Sequence, residues 1–316
     1  MLLLLEYLIV ASIVVFAAVK ASHYIDLIDR TTKLSGAFLG GVLLSAVTSL
    51  PEFFTSLSAT LFLDKPALCI GNILGSDLFN IAMLSAMVLI AMRSFRNAQI
   101  GRGNIIVALY MVLIYGIMLL NYFGILDVEW LTINVITLLF VGIYALAVRH
   151  LASESCECDE CDDEPVTLTL RQIVTRFILM SLVIVVASVV LTYITDDIAT
   201  EYNLGVGLAG AIFLGVATSL PEVASTIALV RMRNYDIAVG NIVGSNLFNF
   251  LVLCTADLFS RGDVYDYADF NVVKLLFFGA VATLFTIPLL RCKGWLVRSL
   301  CALAIIACYM GFLLLG

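Results

Sequence analysis

The chain has 316 residues, 62% of them hydrophobic and only 13% charged, with a formal net charge of −7 and a mean hydropathy of +1.08. A soluble domain is about half apolar and a quarter charged, so this composition excludes a soluble enzyme or binding module and indicates a multi-pass membrane protein whose surroundings are the lipid bilayer. The acidic balance sits largely in loops, and no basic stripe suggests a nucleic-acid partner.

Apolar runs of about 20 residues, each long enough for roughly 30 Å of hydrocarbon, recur along the whole chain. They predict an all-α integral membrane fold of ten transmembrane helices, near 2–20, 35–62, 66–92, 102–123, 127–149, 173–195, 204–230, 236–259, 270–290 and 294–315. The first run lacks a basic leader and a small-residue cleavage site, and reads as a retained span. Cys69, Cys254, Cys292, Cys301 and Cys308 lie singly in or beside apolar runs, as small core residues do. Trp130 and Trp295 stand near span starts and read as interface anchors, and His23 and His150 near span ends read as interfacial.

Lys and Arg set the orientation. The loops after odd-numbered spans hold fourteen of the seventeen basic residues, and the other side holds Lys65, Arg261 and Lys274. The basic side is expected in the cytoplasm. That puts both termini outside, the 150–172 loop in the cytoplasm and the protein in the cell membrane.

Two blocks recur. Thr48-Ser49-Leu50-Pro51-Glu52 returns as Thr218-Ser219-Leu220-Pro221-Glu222, and the decapeptide Gly71–Asn80, GNILGSDLFN, returns at Gly240–Asn249 as GNIVGSNLFN. The order is the same, and the offsets are 170 residues (52 to 222) and 169 (80 to 249). Five spans separate the copies, and five is odd, so the second copy enters the membrane from the opposite side. The chain is therefore read as two inverted five-helix repeats, 1–150 and 173–316, joined by an acidic linker at 151–172. Such repeats place a substrate site near the midplane between the halves and support alternating access.

The blocks carry the chemistry. A proline inside a helix removes a donor and crowds the carbonyl four residues earlier, here Val47 and Ala217. Unpaired backbone at that depth must be met by protein, water or an ion. Glu52, Glu222 and Asp77 are the deep carboxylates, and a charge at the bilayer centre costs at least ~2.5 kcal/mol and marks an ion or proton path. No Lys or Arg sits mid-span to neutralise them. Two facing glutamates call for protons or a shared cation, and an all-oxygen set suits a hard ion such as Ca²⁺. Thr48, Ser49, Thr218 and Ser219 precede the glutamates by about one turn, with Thr48 and Glu52 at the i, i+4 spacing of one helical face. Ser76 with Asn80 and Ser245 with Asn249 repeat that spacing and add neutral oxygens. Gly71, Gly75, Gly240 and Gly244 read as close-packing positions, and Asn72 and Asn241 as hydrogen bonds between helices.

With these residues in place, the sequence resembles the cation/Ca²⁺ exchanger superfamily, in particular its sodium/calcium exchanger branch of prokaryotic type. That family carries two such repeats, typically G-T-S-L-P-E followed by G-N-x-x-G-S-x-x-x-N. The resemblance covers the ten-span plan. It implies exchange of Na⁺ for Ca²⁺, with Glu52 and Glu222 binding Ca²⁺ and sharing Na⁺. Thr48, Ser49, Ser76, Asn80, Thr218, Ser219, Ser245, Asn249 and the carbonyls of Ser45 and Gly215 would complete the sites. Two departures stand out. Val47 and Ala217 replace the motif glycine, and Asp77, matched by Asn246 in the other copy, adds a third carboxylate that bears on selectivity.

The leading reading is a Na⁺/Ca²⁺ antiporter, without catalytic residues or a cofactor. The alternative is H⁺-coupled antiport of Ca²⁺ or another divalent cation: a proton needs only a titratable group, whereas Na⁺ needs neutral oxygens. A pore could use the same ligands. An intramembrane hydrolase built on Ser49 or Ser219 would need a base in reach, and no mid-span His or Lys supplies one. Cys156, Cys158 and Cys161, set among seven acidic residues from Glu154 to Glu164, read either as a metal-sensing loop or as a solvated linker.

Overall fold

A computed structural model describes residues 2–61, 66–96, 98–126, 129–130, 133–153, 168–201, 218–260, 264–265, 267 and 269–315. Nearly all of these residues are helical. Hydrocarbon offers no partner to a backbone N–H or C=O, so each span must close its own hydrogen bonds. The helices are α1 Leu2–Thr31, α2 Gly36–Thr48, α3 Leu50–Leu61, α4 Pro66–Ile90, α5 Met92–Arg96, α6 Arg102–Tyr122 and α7 Val135–Ser153. They continue with α8 Leu170–Glu201, α9 Leu220–Arg231, α10 Tyr235–Phe259, α11 Phe270–Arg291 and α12 Trp295–Leu315.

Among the described residues eight helices are long and apolar enough to cross a membrane, and α2 with α3 adds a ninth as one bent span. The expected span at 204–230 is described only from Thr218 onward. Three boundaries differ from the sequence reading. The first helix does not stop near residue 20 but continues to Thr31. Arg30 Nε pairs with Asp26 Oδ2 at 3.1 Å, four residues back, and Ser22 Oγ reaches the Ala18 carbonyl at 2.8 Å, so the polar turns stay helical. The fifth span begins at Val135 rather than 127 because a two-residue β-hairpin precedes it, with β1 Glu129–Trp130 antiparallel to β2 Ile133–Asn134. The sixth runs from Leu170 to Glu201, past both expected ends. The cysteine cluster lies outside the described residues.

The two helices that carry the repeated G-N-x-x-G-S block lie deepest. Protein buries 89% of the apolar stretch of α10 and 67% of that of α4, but only 17% of that of α1. α10 packs against α2, α3, α4, α6, α7 and α9. α1 and α8 lie along each other and share a separate apolar cluster that includes Ala17, Ala21, Ile25, Leu44 and Ile184. Glycines allow the closest approach. A Cβ on Gly244 would stand 2.4 Å from the Gly41 carbonyl oxygen, and one on Gly40 would stand 2.3 Å from that of Ile237. Gly40 and Gly41 sit on the π-helical turn Leu39–Leu44 of α2. In the other copy, Gly71 would meet only Val272, at 3.8 Å, and Gly75 nothing within 4 Å among the described residues.

Candidate cation site

Pro51 has no N–H to return to the preceding turn, and Ser49 leaves the helical well with φ −90° and ψ 5°. The chain therefore breaks at Ser49, and α3 departs from α2 at 42°. The sequence places Pro51 inside a helix; in the structure the helix is broken two residues before it. In the second copy Ser219 takes nearly the same angles, φ −85° and ψ 6°, and Pro221 lies in the first turn of α9. Ala217 and Gly215 lie outside the described residues. α3 and α9 thus begin inside the protein, and Glu52 and Glu222 occupy their first turns. The free N–H groups and positive end of a helix favour an anionic group there.

The hydroxyls then cross over. Ser49 Oγ donates to Glu222 Oε1 at 3.0 Å, and Ser219 Oγ donates to Glu52 Oε1 at 3.0 Å. Thr48 stands beside Glu222, and Thr218 beside Glu52. The one-turn spacing suggested that each Thr-Ser pair serves the glutamate of its own block. In the fold it serves the glutamate of the other block. Thr48 Oγ1 also meets Ser245 Oγ at 3.3 Å and donates to Asn241 Oδ1 at 3.3 Å.

A second crossed set joins α4 to α10. Asn80 Nδ2 donates to Asn246 Oδ1 at 3.0 Å, and Asn249 Nδ2 donates to Asp77 Oδ1 at 2.9 Å. Asn246 Nδ2 continues to the Asp77 carbonyl at 2.8 Å. Asp77 is near enough to Glu52 for their charges to interact. Sequence reasoning treated Asn246 only as the counterpart of Asp77; the fold makes it the link between the copies. Asn72 and Asn241 behave as expected, as helix ties. Asn72 Nδ2 reaches Ser56 Oγ at 3.1 Å, and Asn241 Nδ2 reaches Ser225 Oγ at 2.9 Å and Thr226 Oγ1 at 3.0 Å.

What remains is a set of buried oxygens. Among the described residues Glu52 Oε2, Glu222 Oε2, Asp77 Oδ2, Ser76 Oγ, Asn80 Oδ1 and Asn249 Oδ1 have no hydrogen-bond partner, and their residues are at most 2% exposed. Buried polar atoms are rarely left unpaired, because each forfeits its hydration. No basic side chain pairs with either glutamate among the described residues; the Arg30–Asp26 pair lies elsewhere. Unpartnered acceptors with no cation to meet them are the chemistry of a hard-cation site. Among the described residues no three His, Cys, Asp or Glu side chains cluster to hold a metal by themselves.

Residues 2–151 and 173–315 match the family model described as sodium/calcium exchanger protein. The inner membrane protein YrbG of Escherichia coli is 27% identical over 275 residues, which is 84% of this chain and 83% of that protein. The sodium/calcium exchanger MaX1 of Methanosarcina acetivorans is 29% identical over 105 residues, 33% of this chain and 29% of that one. A solved structure of the sodium-calcium exchanger NCX_Mj, soaked with 10 mM Na⁺ and zero Ca²⁺, superposes with a TM-score of 0.73. It covers 98% of this chain and 97% of that chain at 17% identity, a likeness of fold.

Proposed function

The chain belongs to the sodium/calcium exchanger family, and on that premise we propose that it is a secondary active antiporter exchanging Na⁺ for Ca²⁺ by alternating access at a midplane carboxylate site. Membership makes it a multi-pass membrane exchanger of cations and not an enzyme. The choice of Na⁺ as the coupling ion, and of the residues that hold the ions, is our reading.

One observation carries it: the crossed glutamates, each held on one oxygen by the other copy's serine, with the second oxygen of each left unpartnered. Ca²⁺ takes six to eight oxygen ligands. Glu52 and Glu222 would supply the charge, and Thr48, Ser49, Thr218, Ser219, Ser76, Asn80, Ser245, Asn249 and Asp77 would supply or steady the remaining oxygens. Na⁺ would use the same neutral hydroxyl and amide groups, which a proton would not need. Both glutamates are at most 1% exposed, so an ion enters only when the helices around them open to one side. We assign residues 1–150 and 173–316 to the two inverted repeats, and place the 151–172 linker in the cytoplasm of a cell-membrane protein with both termini outside.

In sealed vesicles loaded with Na⁺, an outward Na⁺ gradient is expected to drive uptake of radioactive Ca²⁺. Glu52→Gln and Glu222→Gln are each expected to abolish it. Uptake that ignores the Na⁺ gradient but follows a pH gradient would replace sodium coupling with proton coupling. Conduction that needs no counter-ion would make the site part of a pore.

A further inference from the structure

Asp77 breaks the symmetry of the site, and its two carboxylate oxygens have different surroundings. Oδ1 accepts from Asn249 Nδ2 at 2.9 Å. Oδ2 is buried without a hydrogen-bond partner among the described residues. In the other copy the equivalent atom is Asn246 Nδ2, which donates to a carbonyl; a carboxylate oxygen has no proton to give in its place. It needs a donor or a cation.

A donor stands next to it. Tyr115, on α6 and outside both repeated blocks, lies beside Asp77. Tyr115 is 1% exposed, and among the described residues its hydroxyl also has no hydrogen-bond partner. An O–H without an acceptor and a carboxylate oxygen without a donor are complementary, and leaving both unmade in a buried place is costly. The ring is fixed where the hydroxyl can serve. Tyr115 packs edge-on against Phe250 with centroids 5.6 Å apart and an interplanar angle of 87°, and Phe250 follows Asn249, the residue that holds the other Asp77 oxygen. The far side of the phenol is open only because α11 has a glycine there. A Cβ on Gly279 would stand 2.7 Å from Tyr115 Oη, 2.8 Å from Cε1 and 2.9 Å from Cζ.

We propose that Tyr115 is a positioning residue of the cation site: its phenol donates to Asp77 Oδ2 and holds that carboxylate in the orientation a bound cation uses, and Gly279 keeps the space the phenol occupies. Asn249 and Tyr115 then grip Asp77 from two helices, α10 and α6. A carboxylate oxygen has two lone pairs, so the phenol and a cation can share Oδ2. The inference rests on the exchanger reading, with Asp77 among the cation ligands. Hydrogen bonds that orient ligating carboxylates are worth about 10- to 100-fold in metal affinity.

The test uses the full chain in sealed vesicles, with Na⁺-driven Ca²⁺ uptake measured against Ca²⁺ concentration. Ca²⁺-induced thermal stabilisation of the purified protein gives a readout that needs no transport. Tyr115→Phe keeps the ring and removes the hydroxyl; it is expected to raise half-saturating Ca²⁺ about tenfold or more. Gly279→Ala, which displaces the phenol, shifts it in the same direction. Tyr110→Phe, on the same helix but bonded to His150 at 2.8 Å, leaves it unchanged. In an Asp77→Asn background Tyr115→Phe adds less than about twofold, because the residue acts through Asp77. Wild-type half-saturation in Tyr115→Phe, or a full effect that persists without Asp77, overturns the proposal. A wild type that binds Ca²⁺ without exchanging it tells against antiport alone, and the binding comparison still decides the role of Tyr115. A wild type that neither binds nor exchanges Ca²⁺ overturns both.

Discussion

Glu52 and Glu222 sit at the first turns of α3 and α9, each hydrogen-bonded by a serine from the opposite copy. A hydrogen bond to a buried charged group is worth about 1.5–3 kcal/mol, and residues in one network couple when both are changed. Ser49→Ala is therefore expected to couple more strongly to Glu222→Leu than to Glu52→Leu. Thermal unfolding of the single and double variants would read the coupling, on the order of 1 kcal/mol. A larger coupling within the Ser49–Glu52 pair would contradict the crossed arrangement. Legibility at this scale was uneven. The glutamates, hydroxyls and amides could be listed from the two blocks because deep polar residues are rare in spans. Which serine meets which glutamate could not, because it depends on how α3 and α9 face each other in the fold. Tyr115 carried no sequence signal, since a tyrosine in an apolar span reads as core.

At the scale of elements, the glycines of α2 and α10 set how closely these two helices approach each other. A methyl on Gly244 would press on the Gly41 carbonyl oxygen at 2.4 Å and its Cα at 2.5 Å. Those are backbone atoms, which cannot rotate aside. Gly244→Ala is expected to cost about 1–3 kcal/mol, as overpacking does, and to lower the melting temperature of the detergent-solubilised protein. Gly116→Ala on α6, with nothing within 4 Å of its Cβ, should leave that temperature unchanged or raise it. Equal melting of the two variants would show that the α2–α10 contact does not limit stability. The sequence marked Gly240 and Gly244 as packing glycines, but it also marked Gly71 and Gly75, which make no comparable contact with described residues. Period and residue size identify a smooth helix face; they do not say which neighbour uses it.

For the whole molecule, the proposed orientation rests on the distribution of basic residues read through the positive-inside rule. The natural cysteines provide the check. Cys156, Cys158 and Cys161 fall in the linker between the repeats, whereas Cys69, Cys254, Cys301 and Cys308 are buried. A membrane-impermeant maleimide applied to intact cells is expected to leave the three linker cysteines unmodified and to label them once the membrane is opened. Labelling from outside would invert the orientation. The closed site belongs to this scale too. With the deep carboxylates 0–1% exposed, transport requires helices to move relative to one another. The separate apolar cluster between α1 and α8 is distinct from the core around α4, α6 and α10.

Composition, the apolar runs and the doubled T-S-L-P-E and G-N-x-x-G-S blocks determined by themselves that this is a helical membrane protein with a paired polar site. The reason is energetic: hydrocarbon punishes every unpaired backbone group and every deep charge, so what survives there is legible one residue at a time. The tertiary structure alone decided the rest. It broke the second span at Ser49 and put each glutamate in the first turn of a helix. It crossed the serines between the copies, brought Asn246 into the link and set Tyr115 against Asp77. Those outcomes depend on distances between residues far apart in the chain, such as the 173 positions from Ser49 to Glu222. A local pattern carries no record of such distances, because they are set only when α10 packs against α2, α3 and α4.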